Sequence, residues 1–263
     1  MKNLFVRTGL LALAAIAAQP MAIAQTTNPI TKSPRLYCGT DESGFAGMNG
    51  QLAVVHTNGA TIVGAVQLYS LDVPLNGLTR GNGFLWSGQP EDVAGTAGNT
   101  LRKISASLPP TVLATIAPGS NSFSSSCCNE QMVVTPTAFY HVHYSDSIQQ
   151  IKLDSSGDSE VVQTFTQSDI VGIASDGTNI WISNWGTSQV GTWDPVTNTF
   201  TAVFSTPTAA GALAWDVANG VLWVGMSGGS VIPYDATGVQ LGNGFQPFGT
   251  DSDTIDGLAF VTD

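Results

Sequence analysis

One spacing recurs along this chain and limits its fold more than any other feature. Ile173-Ala-Ser-Asp-Gly-Thr-Asn-Ile-Trp181 sets an aliphatic anchor eight positions ahead of an aromatic residue. Leu78 stands eight before Trp86, and Met132 eight before Tyr140. Leu213 and Trp223 repeat the pair with two further residues, because Val217-Ala218 enlarges the turn between them. A fifth anchor, Leu258, begins a unit at the C-terminus, and its second half stands at the other end of the chain in Leu36-Tyr37. Self-similarity at 40 to 54 residues marks a repeat architecture, and units of that length suit four short strands.

Within each unit a second pattern follows the aromatic. Val190-Gly-Thr-Trp-Asp194-Pro-Val-Thr-Asn198 and Val231-Ile-Pro-Tyr-Asp235-Ala-Thr-Gly238 are strands running into a turn, and Ile151-Lys-Leu-Asp154-Ser-Ser-Gly157 repeats them. Asp caps such a turn with its carboxylate, and Gly or Asn takes the positive-φ position. No window sustains a helical apolar stripe over three turns, so the reading is all-β. Four strands in each of five units predict a five-bladed β-propeller of four-stranded antiparallel blades. The predicted blades are 35–73 with 254–263, then 75–117, 130–167, 170–208 and 210–249. Joining the C-terminal strand to the N-terminal blade closes the ring and removes an exposed sheet edge. A two-sheet sandwich also uses many short strands, but nothing in it requires one spacing to recur.

The first 24 residues read as a signal peptide: Lys2 and Arg7 ahead of the apolar stretch Leu10 to Ala18, then Ala22-Ile23-Ala24 before a cut at Gln25. Residues 25–34 form an exposed leader broken by Pro29 and Pro34, and 35–263 are a single propeller domain. The expected destination is secreted or periplasmic, in a bacterium, with no transmembrane segment in the mature chain. Nineteen acidic residues against eight basic ones give a net charge of −11, which opposes binding to a phosphate backbone and excludes a nucleic-acid partner. Only 10% of residues are charged, far from the composition of a coiled coil, while 43% hydrophobic residues suffice for a core.

Residues 172–181 with Val190…Asp194-Pro resemble the repeats of bacterial NHL-type and streptogramin-lyase-like propellers. Those repeats alternate a "G-[LI]-A-x-D-x-x-G-x-[LI]-W" half with a "V-x-x-[FIW]-D-P-x-T-G" half. The likeness is clearest over residues 171–240. It implies the fold and leaves activity open, since such propellers include lyases, lactonases and interaction modules. It also implies that the ligand face carries the connections from second to third strand and from fourth strand to the next blade. Streptogramin lyases combine histidines and glutamates around a magnesium ion, with histidines in the later blades; this chain has none after His143.

Carboxylates gather on that loop face: Asp41, Glu42, Glu91, Asp92, Glu130, Asp146, Asp169, Asp251 and Asp253. Asp41, Glu42, Asp146, Asp169, Asp251 and Asp253 are the candidate metal ligands, for Ca²⁺ above all, although no EF-hand-type loop is present. His141 and His143 lie on one side of a strand and, with Glu130, are the candidate catalytic or metal-ligating groups. The other reading packs His141 between sheets. Trp185, Asn184, Asp146, Glu91, Asp92, Cys127 and Cys128 are candidate ligand contacts. Cys127 and Cys128 form a vicinal disulfide, or one of them bridges to Cys38, or all three are reduced and Cys38 is a small buried hydrophobe. The aromatics Tyr37, Trp86, Tyr140, Trp181 and Trp223 are expected between blades. The functional reading is a monomeric, non-catalytic binding module for a protein or a carbohydrate-like ligand. The alternative is a metal-assisted lyase or hydrolase in the central funnel.

Overall fold

In the computed structural model the chain is a ring of five antiparallel sheets. The structure describes residues 34–40, 50–71, 75–88, 101–116, 129–135, 138–143, 146–153, 159–249 and 254–262. Blade 1 contains β1 (Arg35–Gly39), β2 (Gln51–Asn58) and β3 (Thr61–Ser70). Blade 2 runs through β4 (Asn76–Gly81), β5 (Phe84–Gly88), β6 (Leu101–Ser105) and β7 (Val112–Ile116). Blade 3 is β8 (Asn129–Val134), β9 (Phe139–His143), β10 (Ser147–Leu153) and β11 (Ser159–Thr166). Blade 4 is β12 (Ile170–Ser175), β13 (Ile180–Asn184), β14 (Gln189–Asp194) and β15 (Thr199–Ser205). Blade 5 has β16 (Ala210–Asp216), β17 (Val221–Met226) and β18 (Val231–Tyr234).

The final strand, β19 (Gly257–Val261), pairs antiparallel with β1 and becomes the innermost strand of blade 1. The inner strands then form a closed circuit, β19 beside β4, β4 beside β8, β8 beside β12, β12 beside β16 and β16 beside β19. Ring closure through the C-terminus is therefore as the split repeat predicts.

Register shows that the repeat positions are structurally equivalent. Tyr37, Trp86, Tyr140, Trp181 and Trp223 each pair with the residue following an anchor: Ala259, Thr79, Val133, Ala174 and Ala214. None of these aromatics is more than 8% exposed. Each packs toward the next blade around the ring. The Tyr37 hydroxyl donates to the Ala106 carbonyl of blade 2, Trp86 meets Phe139 of blade 3, and Tyr140 meets Trp193 of blade 4. Trp181 meets Trp215 of blade 5, and Trp223 joins the cluster of Leu36, Val55 and Phe260 in blade 1. The core is thus five inter-blade layers rather than one central mass.

The turns obey the chemistry read from sequence. Asp194 accepts from Val196 N and the Thr197 hydroxyl, and Asn198 takes φ +53°. Asp235 accepts from Thr237 and Val239 N, with Gly238 at φ +87°. Blade 5 departs from the four-stranded expectation. Its outer segment meets β18 only through isolated bridges at Val231↔Phe245 and Tyr234↔Gln240. Pro233 accepts a bond from Leu241 N but has no N–H to return, so a ladder cannot propagate there.

Candidate functional site

The ring axis is where the sequence departs from its own repeat. Immediately before the anchors stand Gly77, Gly172, Ala212 and Gly257, but in blade 3 the equivalent residue is Gln131. Two of them are small for a physical reason: a Cβ on Gly172 would collide with the Gly211 carbonyl, and one on Gly257 with the Leu78 backbone. Gln131 projects a fully buried carboxamide that ties blade 3 to the four other blades. Its Nε2 shares two N–H protons among the carbonyls of Leu78 (3.0 Å), Leu213 (2.5 Å) and Leu258 (2.7 Å). Its Oε1 accepts from the backbone N–H of Ile173 (3.1 Å) and Leu213 (2.6 Å). Inner strands expose an unpaired backbone edge to the axis, and buried N–H and C=O groups need partners. One side chain supplies five of these partners.

Beyond Gln131, on the face of the first-to-second-strand turns, the axis opens into a funnel of about 170 Å³. Its inner tier is Thr79, Val133, Ala174, Ala214 and Ala259; its mouth is Arg80, Val134, Ser175, Trp215 and Phe260. These are the first and second residues after the five anchors, so each blade contributes one residue to each tier. The same face carries a groove of about 440 Å³ between blades 3 and 4, where Tyr140 and Trp193 meet Thr178, Asn179 and Asp194. Many polar groups of that groove already serve the turns. Thr135 exchanges bonds with Ala138, and Asp194 is held by its own turn.

On the opposite, loop face, blade 4 holds the expected contact residues in a stiff turn. Asn184 Oδ1 accepts from Thr187 N and the Thr187 hydroxyl, while its Nδ2 donates to the Ser168 carbonyl. Trp185 N donates to the Asp169 carbonyl at 2.6 Å, and Asp169 adopts φ +59°. Trp185 is partly buried. Asp146 is exposed on the neighbouring blade 3 connection, and its carbonyl accepts from Gln167 N. Asp41, Glu42, Glu91, Asp92, Cys127, Cys128, Asp251 and Asp253 lie outside the described residues. Among the described residues no three His, Cys, Asp or Glu side chains are grouped to share a cation.

His141 is fully buried on β9, paired with Met132 and Gln149. It fills the place held in the other blades by Cys38, Ser87, Ile182 and Val224, all likewise buried. By strand alternation it shares its face with Phe139, which packs with Trp86 and Leu101 of blade 2. The inter-sheet reading therefore holds, and His141 is removed from solvent. The backbones of His143 and Glu130 are placed on β9 and β8, so Glu130 belongs to a strand rather than to the loop before it. Cys38 is a buried free thiol, in keeping with its reading as a small buried hydrophobe, and burial pushes its pKa well up.

Three turn carboxylates are shifted the other way. Partial burial raises the Asp176 pKa, but donation from Asn179, Trp181 and Thr178 outweighs it and the net shift is downward. Asp194 is lowered chiefly by Val196 N and the Thr197 hydroxyl, and Asp235 by Thr237 and Val239 N. Sequence reasoning passed over Gln131, Arg80 and Trp215. The signal for all three was their oddness within an aligned tier, which shows only when the five anchors are superposed.

No family model matches the chain, and no curated protein matches it. Solved structures do. A chain of the nidogen/laminin complex matches with a TM-score of 0.52 at 12% identity, covering 87% of this chain and 98% of that one. The glutaminyl cyclase of Myxococcus xanthus matches with a TM-score of 0.51 at 15% identity, over 72% of this chain and 79% of that one. At such identities the likeness is one of fold: both a component of a protein complex and an enzyme share this ring. Among the described residues no helix is long and apolar enough to cross a membrane.

Proposed function

We propose that the chain is an exported bacterial propeller of the NHL or streptogramin-lyase-like kind that binds a carbohydrate-like ligand or a protein partner through its loop face. The observation that carries this reading is the Asn184–Thr187 turn. It carries a partly buried tryptophan, Trp185, on backbone already fixed by side-chain and main-chain hydrogen bonds. A preorganised aromatic loses little entropy on binding and offers an apolar face beside hydrogen-bonding groups. The nidogen/laminin complex supports a protein-binding use of such a ring by analogy of fold. Burial of His141 between blades 2 and 3 leaves the metal-assisted alternative to His143, Asp146 and Glu130.

The test is a binding titration of the mature chain against neutral oligosaccharides, followed by tryptophan fluorescence, with Trp185→Ala and Asn184→Ala as variants. Saturable binding that both variants weaken at least tenfold, with melting temperatures near the parent's, supports the reading. Ligand that is chemically consumed would overturn it, as would binding indifferent to both substitutions.

A further inference from the structure

We infer that the funnel on the turn face is a second binding site, for a small apolar monocarboxylate. Its inner end is closed, because Gln131 ties across the axis at Leu213 and Leu258, which themselves line the funnel. A ligand entering from this face meets a blind cup rather than a channel. The inner tier is apolar apart from the Thr79 hydroxyl, and Val133, Ala174, Ala214 and Ala259 are all buried. At about 170 Å³ the cup is well below the ~300 Å³ at which sites for drug-sized ligands begin. It suits an unbranched chain of a few carbons.

The mouth supplies the charge. Arg80 takes the tier position filled elsewhere by Val134, Ser175, Trp215 and Phe260. Its guanidinium is oriented by Thr262, with Nη2 donating to the carbonyl at 2.9 Å and Nη1 to the hydroxyl at 3.2 Å. A guanidinium has five N–H donors in a planar fork, so donors remain for a carboxylate. Opposite in the same tier, the Trp215 indole Nε1 is buried and has no hydrogen-bond partner among the described residues. The Trp215 ring packs against Trp181 behind this rim, so its N–H reports on the mouth without facing it. The described lining contains no aspartate or glutamate. In a chain with more than twice as many acidic as basic residues, that is a local reversal of charge. A guanidinium at the rim, Val133, Ala174, Ala214 and Ala259 along the inner tier and a closed floor together fit an anionic head with a short hydrocarbon tail.

The experiment is a ¹H–¹⁵N titration of the mature chain at fixed ionic strength. It observes the Trp215 indole N–H, assigned by its disappearance in Trp215→Phe. The probes are butyrate, pentanoate and hexanoate, with hexan-1-ol and hexylammonium as charge controls. Expected is a saturable shift for hexanoate and an affinity rising about fourfold per added CH₂ along the acid series. Hexan-1-ol should bind at least tenfold more weakly, and hexylammonium not at all. Arg80→Gln should weaken hexanoate tenfold or more without changing hexan-1-ol. Arg80→Lys, which keeps the charge and loses the fork, should fall between, and it stands in should the glutamine variant misfold. The site is refuted if acid, alcohol and amine shift the indole alike, if the acids fail to saturate at millimolar concentration, or if well-folded Arg80 variants bind like the parent. None of these results bears on the loop face, so the two sites stand or fall separately.

Discussion

Replacing Gln131 tests whether the axis is held by hydrogen bonding or merely by filled volume. The carboxamide serves three carbonyls and two N–H groups from four other blades. Two N–H protons and two lone pairs make four full bonds, so at about 0.5–1.5 kcal/mol net for each, Gln131→Ala should cost roughly 2–6 kcal/mol. The lower half of that range is expected, because the vacated space is polar and a water can re-bond some of the orphaned groups. Gln131→Leu keeps the bulk, admits no water and strands all five groups, at about 1–3 kcal/mol apiece. It should therefore be the worse variant, approaching the whole stability of ~5–15 kcal/mol. Gln131→Glu places carboxylate oxygens against the carbonyls of Leu78, Leu213 and Leu258, and should also destabilise more than alanine. Urea unfolding followed by tryptophan fluorescence and circular dichroism gives the order, with coincident transitions as the check on two-state behaviour. For a domain of this size each kcal/mol should move the melting temperature by about 2–4 °C. If leucine is tolerated as well as or better than alanine, Gln131 is a filler and the hydrogen-bonding account of the axis is wrong.

Trp181→Ala should cost about 3–5 kcal/mol, since the ring is 3% exposed and packs on Trp215; Trp181→Phe should cost only about 1, for the indole bond to Asp176. Removing Ile255 to Asp263 strips β19 from β1 and takes Leu258 and Phe260 from the core, so gel filtration should show aggregates; a soluble, cooperatively folding monomer would contradict ring closure. Because Asp176, Asp194 and Asp235 titrate lower when folded than the ~3.9 of an unfolded aspartate, the stability they confer is present above about pH 4. It drains as pH falls through the folded values, and Asp176→Asn should flatten that acid limb in urea midpoints measured against pH. Cys38 should resist a thiol reagent in the native state and react at the rate of global unfolding, a burst of native labelling being the contrary result.

The fold was legible because its signal repeats. An anchor and an aromatic at constant spacing fix one residue on each inner strand and one on its neighbour, and the observed register joins them in all five blades. Turn chemistry was legible for the same reason: Asp with a following Asn or Gly is a local solution that needs no tertiary context. The fourth strand of blade 5 failed where a local rule met a tertiary one. Pro233 and the glycines around Asn243 still allow bridges to β18 but not a continuous ladder. The site was less legible. The funnel draws one residue from each of five distant segments, and no stretch of sequence contains two neighbours of the same tier. His141 stayed open between two readings for the opposite reason. Its alternation with His143 is a true local pattern, but the direction in which that face points is decided by blade 2.

A ring of near-equivalent blades offers an internal control for such readings. Every tier position is occupied five times, so four blades show what the geometry demands and the fifth can be judged against them. Cys38, Ser87, Ile182 and Val224 show that the His141 position demands burial, and any small or medium side chain meets that demand. Histidine there needs no functional explanation. Gly77, Gly172, Ala212 and Gly257 show that the position before the anchor demands smallness, and Gln131 breaks the demand while bonding to every other blade. That departure is explained by the ring's need to satisfy its inner edge. Arg80 stands in a tier where Val134, Trp215 and Phe260 show that apolar side chains suffice, and its bonds to Thr262 reach only a residue beyond the end of β19. The strands on which the ring depends do not need that charge. Of the three departures, it is the one left over when structure has been accounted for, and so the one to test for a ligand.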